Sequence, residues 1–288
     1  MNKQQPGFRK PHRKLVLIKG AGDLATGVAH RLYRAGFRLV MTEQERPTVI
    51  RRPVSFARAV FDSTAEVEGI VSKKLEYDVS LLKKGSDKIA GFDVEMMQKL
   101  IDRGLVPVLV DPCLTLLFHL SPEIFIDATM AKKNTGINLD YAPLVIALGP
   151  GFKAGQDVHA VVETKRGHYL GRVIYDGEAL PNDGVPGAVE DYSTERLIKA
   201  PVRGIFKAEL AIGDLVSAGE TVGRVGDTLV RAKIEGIIRG LVQHGLEVKQ
   251  GMKIGDIDPR KKRDYCFTIS DKARAVGGGV LEAIMALE

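Results

Sequence analysis

The sequence predicts an α/β protein in which a Rossmann-like, mostly parallel sheet is followed by a C-terminal barrel-sandwich-hybrid β module of the biotinyl/lipoyl kind. Three observations predict it. A β-branched run at Leu15–Ile18 leads into Gly20-Ala21-Gly22, an amphipathic stretch and a second apolar run at Phe37–Met41, the pattern of a βαβ opening. Strand-like and helix-like stretches then alternate as far as Gly149-Pro150-Gly151. Beyond that point glycine and β-branched residues dominate, and Gly213–Val225 matches Gly245–Ile257 at a constant offset of 32 residues, as expected of two similar strand–turn–strand units around one core.

The elements follow in order. Residues 14–19 read as a strand. Residues 22–35 read as a helix, with Leu24, Val28, Ala29 and Leu32 on one stripe and Gly36 as its stop. Residues 37–41 form the second strand. A helix is expected over 94–103 and a buried strand over 106–110, with two more strands at 123–127 and 144–148. Residues 158–164 and 168–175 make a hairpin around Lys165-Arg166-Gly167, and 176–190 reads as a loop rich in Gly, Pro, Asn and Asp. Ser270-Asp271 is an N-cap pair for a last helix over 273–287. Gly277-Gly278-Gly279 within that helix costs roughly 1 kcal/mol per glycine. Either a backbone or ligand approaches closely there, or the helix starts after the glycines.

The domain organisation expected is a disordered basic tail at 1–13, a nucleotide- or cofactor-binding domain at 14–150, a hairpin-and-loop connection at 151–197, the β module at 198–260 and a C-terminal segment and helix at 261–288. At 288 residues two domains are the natural expectation. With 44% hydrophobic residues but no Trp, the cores are aliphatic. The basic tail has no apolar stretch and is not read as a signal peptide. No apolar run of about 18 residues exists to span a membrane, and the protein is expected to be soluble and cytoplasmic. The formal charge of +6 is spread among interleaved acids with no basic face bearing aromatic partners. That argues against nucleic acid and for an anionic ligand or acidic partner. Cys113 and Cys266 have no framework spacing and read as reduced thiols, Cys113 as a buried apolar one by default.

Several motifs are candidates for chemistry. Gly20-Ala21-Gly22-Asp23-Leu24-Ala25 is G-x-G-x-x-A between a strand and a helix. Gly20 permits the turn, Gly22 admits a pyrophosphate at the helix N-terminus, and Glu43 ends the next strand where an acid binds a ribose hydroxyl. Asp23 places negative charge beside that phosphate site, so a fold kept without its nucleotide is the alternative. Gly149, Gly151 and Gly155 follow a strand at the carboxyl edge, as ligand loop or interdomain turn. Lys132 and Lys133 follow Asp127 at another strand end and could clamp a phosphate. On the hairpin, His159 and Glu163 share a face with Asp157, and His168 lies on the returning strand with Arg172. They are candidates for acid–base work, but without tight metal-ligand spacing. Asp256, Asp258, Arg260, Asp271, Lys272 and Arg274 read as ion pairs pinning the final helix. A carrier role is excluded: the link between the half-repeats is Gly226-Asp227-Thr228, which has no lysine to modify, and Lys233 falls beyond it.

Taken together, residues 19–32 (KGAGDLATGVAHRL), 126–136 (IDATMAKKNTG), 144–174, 253–260 (KIGDIDPR) and 269–284 (ISDKARAVGGGVLEAI) resemble the YqeB-type accessory proteins of selenium-dependent molybdenum hydroxylases, over essentially residues 14–288. The Rossmann part is similar to that of XdhC-type accessory proteins, which bind molybdenum cofactor, help place its terminal sulfido ligand and hand it to the apoenzyme. The resemblance implies a protein of cofactor maturation or insertion that binds a molybdopterin-type cofactor, with an apo molybdenum hydroxylase and a selenium or sulfur donor protein as partners. It supplies no catalytic residue. An NAD(P)-dependent oxidoreductase and a non-catalytic docking protein for the apo-hydroxylase are the alternatives.

Overall fold

Two of the three layers of the N-terminal part are dictated by alternation along single strands. In the computed structural model, which describes residues 14–77, 92–184 and 187–288, Leu15–Lys19 (β1) points Val16 and Ile18 to one face and Leu15 and Leu17 to the other. A strand apolar on both faces must be covered on both. Asp23–Arg34 (α1) covers the first face and Arg38–Glu43 (β2) pairs alongside β1. The predicted tail at 1–13 lies outside the described residues.

The chain continues through Ala59–Asp62 (α2), Thr64–Val67 (β3), Ile70–Lys74 (β4), Val94–Asp102 (α3), Val106–Val110 (β5), Leu117–Leu120 (α4), Ile124–Asp127 (β6) and Leu144–Leu148 (β7). Lys153–Ala154 (β8) and Gly177–Glu178 (β11) form a small ribbon, and Ala160–Val162 (β9) and Val173–Ile174 (β10) lie between them in sequence. Nine of these strands form one sheet in the order β10-β9-β7-β6-β1-β2-β5-β4-β3. Its middle is parallel, but both edges are antiparallel, β9 with β10 and β3 with β4.

This corrects the expected fold class. The sheet is large and mixed, not a Rossmann-like sheet ending near residue 150. One antiparallel edge is the β3–β4 hairpin, whose two-residue turn puts Glu68 and Gly69 at φ 46° and 83°. Consecutive positive φ values suit the twist of paired strands. The hairpin's strands are only four and five residues long, so its alternation is brief in the sequence. The other edge is the 160–174 hairpin, which joins the sheet through parallel pairing of β9 with β7.

The C-terminal strands are Leu197–Lys199 (β12), Gly204–Ala208 (β13), Leu215–Val216 (β14), Thr221–Val225 (β15), Thr228–Arg231 (β16), Gly236–Leu241 (β17), Glu247–Val248 (β18) and Lys253–Asp258 (β19). They make two four-stranded antiparallel sheets, β12-β19-β17-β14 and β16-β15-β13-β18. The repeat appears as matched register: Phe206 faces Val225 as Ile238 faces Ile257, and Ile205 faces Glu247 as Ile237 faces Leu215. The short strands are exchanged, β14 pairing with β17 and β18 with β13. The edge strands β12 and β16 occupy matching places yet come from outside the repeat. This pair of sheets replaces the biotinyl/lipoyl-like barrel-sandwich hybrid that was expected.

Asp264–Phe267 (α5) precedes Asp271–Leu287 (α6). The last helix is capped by Ser270, whose Oγ accepts from Ala273 N, and it runs straight through the triple glycine. The glycines answer a close approach. A Cβ on Gly277 would lie 2.9 Å from the Gly27 carbonyl oxygen of α1, and one on Gly279 would lie 2.2 Å from the Gly171 carbonyl oxygen. The C-terminal helix thereby packs on α1 and on the N-terminal sheet, sharing its apolar layer.

Candidate functional site: a cationic cavity at the strand ends

Strands β1, β6, β7 and β9 run parallel and end on one side, the side on which open α/β sheets present their ligand sites. A cavity of about 820 Å³ opens there. Asp23 and Leu24 reach it from the start of α1, Lys132 from the loop after β6, and Thr164, Lys165 and Arg166 from the end of β9. The C-terminal sheets contribute Arg196, Lys199, Arg239, Lys253 and Asp256, and α6 contributes Ser270 and Lys272. Among the described residues, nine cationic side chains and three carboxylates line it.

The charges are unevenly compensated. Arg166 makes a two-point pair with Asp271, both contacts 2.7 Å, and Lys165 pairs with Asp183 at 3.0 Å. Arg196 pairs with Asp256 and donates to the Gly187 carbonyl. Arg51 donates to the carbonyls of Tyr265 and Thr268 and lies 3.7 Å from Asp23. Among the described residues Arg239 has one ion-pair partner, Asp258, at 3.5 Å, and Arg260 already holds that carboxylate at 2.6 Å. Arg51, Arg196 and Arg239 are each 9% exposed, and the Nε of each lacks a hydrogen-bond acceptor. Burial lowers the pKa of Arg239, and Arg51 beside it acts in the same direction. Positive charge is therefore held out of water without full neutralisation, which is costly unless an anion completes it.

The residues singled out in the sequence scatter around this cavity. Glu43 donates nothing; its carboxylate accepts from Ala21 N at 2.9 Å and Gln44 N at 2.8 Å, and burial raises its pKa. It holds the glycine loop and is not part of the cavity wall. The space over the G-x-G-x-x-A loop is filled by the protein itself. Gly20 packs on the backbone of Ala128, Gly22 lies under Val49, and Ala57 N donates to the Ala21 carbonyl. Asp23 does face the cavity.

Gly149 and Gly151 approach protein rather than open space: a Cβ on either would be 2.5 Å from Thr164 Oγ1 or from the Lys133 backbone. They seat the lysine loop. Lys132 lines the cavity, and its Nζ donates at 3.0 Å to the Asn182 amide oxygen in the orientation that satisfies both groups. Lys133 is exposed and outside the cavity wall. His159 and Glu163 sit at opposite ends of β9. His159 Nδ1 accepts from Val145 N, and Glu163 accepts from Lys165 N and Leu180 N, both at 2.7 Å. His168 is exposed against Tyr169. The three are not brought together. Cys113, expected to be buried, is exposed, and Cys266 is buried. Asp271 and Arg274 do pin the last helix, to Arg166 and Glu68. Among the described residues, no group of three or more His, Cys, Asp or Glu is placed to hold a metal ion.

Sequence reasoning missed Arg51, Arg166, Arg196, Arg239, Lys253 and Lys272 as one constellation. They come from six segments and share no spacing. The excess of Lys and Arg was the only signal, and it does not say which of them converge.

Fold and cavity define an α/β protein with a cationic pocket between a mixed sheet and a pair of C-terminal antiparallel sheets. No family model matches the chain. It is similar to the protein named "Uncharacterized protein YqeB" of Escherichia coli (strain K12), with 49% identity over 283 residues, covering 98% of this chain and 49% of that protein. The chain thus spans about half the length of this curated relative. Solved structures retrieved include an aspartoacylase family protein from Mesorhizobium loti, with 11% identity, 86% of each chain and TM-score 0.27. They also include a succinylglutamatedesuccinylase/aspartoacylase from Rhodobacter sphaeroides, with 13% identity, 86% of each chain and TM-score 0.25. At these scores the likeness supports no statement about activity. The expected description in terms of molybdenum cofactor, selenium, accessory protein, Rossmann, nucleotide-binding and barrel-sandwich hybrid finds no counterpart in these names and is withdrawn as a description of the chain. No helix among the described residues is long and apolar enough to cross a membrane.

Proposed function

We propose that the cavity binds a small polyanion, of the class that carries phosphate groups. The observation that supports this reading is the pair of buried guanidinium groups, Arg51 and Arg239, on the wall of a cavity where cations outnumber carboxylates three to one. Guanidinium groups suit phosphate and carboxylate through two-point hydrogen bonding. The N-terminus of α6 supplies a further field of the same sign.

The expected molybdopterin-type cofactor and NAD(P) both carry phosphate and enter as ligands to be tested. Delivery of the ligand to an apo-hydroxylase, in concert with a sulfur or selenium donor protein, is the part of this proposal that needs a second protein to test.

Calorimetric titration of the full chain at low salt with inorganic pyrophosphate, NAD(P) and molybdopterin tests the reading. Binding that weakens with salt is expected. Arg239→Gln should weaken it by about tenfold, the equivalent of 1.4 kcal/mol, close to the lower end of the range for a hydrogen bond to a charged group. Absence of heat and of thermal stabilisation with every member of the panel would overturn it.

A further inference from the structure

We propose that Lys272 Nζ is a nucleophilic amine that condenses with the carbonyl group of an anionic carbonyl compound held in the cavity. The anionic part of this inference rests on the reading above; the amine does not.

Lys272 is the second residue of α6 and lines the cavity half-buried. Among the described residues it has no hydrogen-bond acceptor and no ion-pair partner. Its neighbours on the helix have structural duties: Asp271 is taken by Arg166, and Arg274 by Glu68. Lys272 is left with none. Its setting also disfavours a cation. The first turn of a helix is its positive end. Of the charges nearby, Asp23 of α1 favours the cation most, with Glu163 of β9 acting the same way, and Arg166 from the loop after β9 and Lys253 from β19 oppose them. Burial is the largest influence and lowers the lysine's pKa. A desolvated lysine beside other cations keeps a larger share of free amine near neutrality, which is the condition for attack on a carbonyl carbon.

The step balances without a further reagent. The nitrogen lone pair forms a C–N bond and one amine proton passes to the carbonyl oxygen; the C–O bond then breaks as the nitrogen lone pair forms C=N, and the hydroxyl leaves as water with the second amine proton. The neighbouring cations hold the anionic substituent while the carbonyl meets Lys272.

The test uses pyridoxal 5′-phosphate, an anionic aldehyde, with the full chain at pH 7. Sodium borohydride then delivers hydride to the C=N carbon and fixes the adduct, and peptide mass spectrometry locates it. Lys272, half-buried in the cavity wall, is therefore expected to be labelled several-fold faster than the exposed Lys207 and Lys249. Pyrophosphate should slow that labelling, and Lys272→Arg should abolish it at this position. Labelling of Lys272 no faster than Lys207 and Lys249, with pyrophosphate still bound, would overturn the proposal and leave the polyanion reading standing. If pyrophosphate neither binds nor protects, yet acetaldehyde labels Lys272 selectively, the amine is supported and the polyanion reading falls.

Discussion

Arg166 and Asp271 meet in a two-point ion pair, Nη1 to Oδ2 and Nη2 to Oδ1, each 2.7 Å. The pair joins the loop after β9 to the first turn of α6 at the rim of the cavity. The Arg166 hydrogen bonds hold the Asp271 carboxyl well below the usual carboxylate range. A depressed carboxylate pKa contributes stability that is present above the unfolded value near 3.9 and is lost as pH falls through the folded value. Asp271 is 70% exposed, so solvent screens most of the pair and its worth is about 1 kcal/mol at most. Asp271→Asn should lower stability by about that amount at pH 7, and urea unfolding should show the gap closing only below about pH 4.

The triple glycine separates close approach from open space within three residues. A Cβ at Gly279 would meet the Gly171 carbonyl oxygen, whereas one at Gly278 meets nothing within 4 Å. Gly279→Ala should cost about 1–3 kcal/mol by forcing α6 off the β9–β10 edge. Gly278→Ala should stabilise the protein by about 0.5–1 kcal/mol, since alanine is the better helix former. Thermal unfolding of the two variants checks the opposite signs.

Glu163 is 2% exposed, and its two oxygens each accept one backbone N–H, from Lys165 and Leu180. It staples two walls of the cavity. Glu163→Gln leaves one of those N–H groups facing an amide donor, which should cost about 1–3 kcal/mol and weaken pyrophosphate binding by displacing Lys165. His168→Ala should change neither, because that ring is exposed and outside the cavity.

His30 is buried on α1, its Nε2 lies 3.7 Å from Glu68, and burial lowers its pKa against the pull of that carboxylate. A base whose folded pKa is lowered binds its proton more readily when unfolded. Stability is therefore lost as pH falls below about 6.5, the unfolded value. His30→Asn should flatten the pH dependence of the melting temperature over pH 5 to 7, measured against the parent chain.

Much of the local structure was legible in the sequence because it is written in short periodicities. The stripe on Leu24, Val28 and Leu32 places α1, the both-sided apolar runs place β1 and β7, and the Ser270 cap places the start of α6. The 32-residue repeat was equally plain, since equivalent turns need equivalent glycines. The sheet's class was not. Whether an edge strand pairs parallel or antiparallel depends on the partner and the turn, and β3–β4 and β9–β10 decided it against the expectation. The G-x-G-x-x-A loop shows the same limit: its local form is as expected, but residues 49–57 fold back over it.

What the sequence by itself determined, then, is which segments are strands and helices, where α6 begins, and that positive charge exceeds negative. Only the tertiary structure decided where that charge converges. Arg51, Arg166, Arg239 and Lys272 are distant along the chain and become neighbours because the C-terminal sheets and α6 return to the carboxyl edge of the N-terminal sheet. Coulomb interactions depend on separation in space and on exclusion of water, and neither quantity is a property of local sequence.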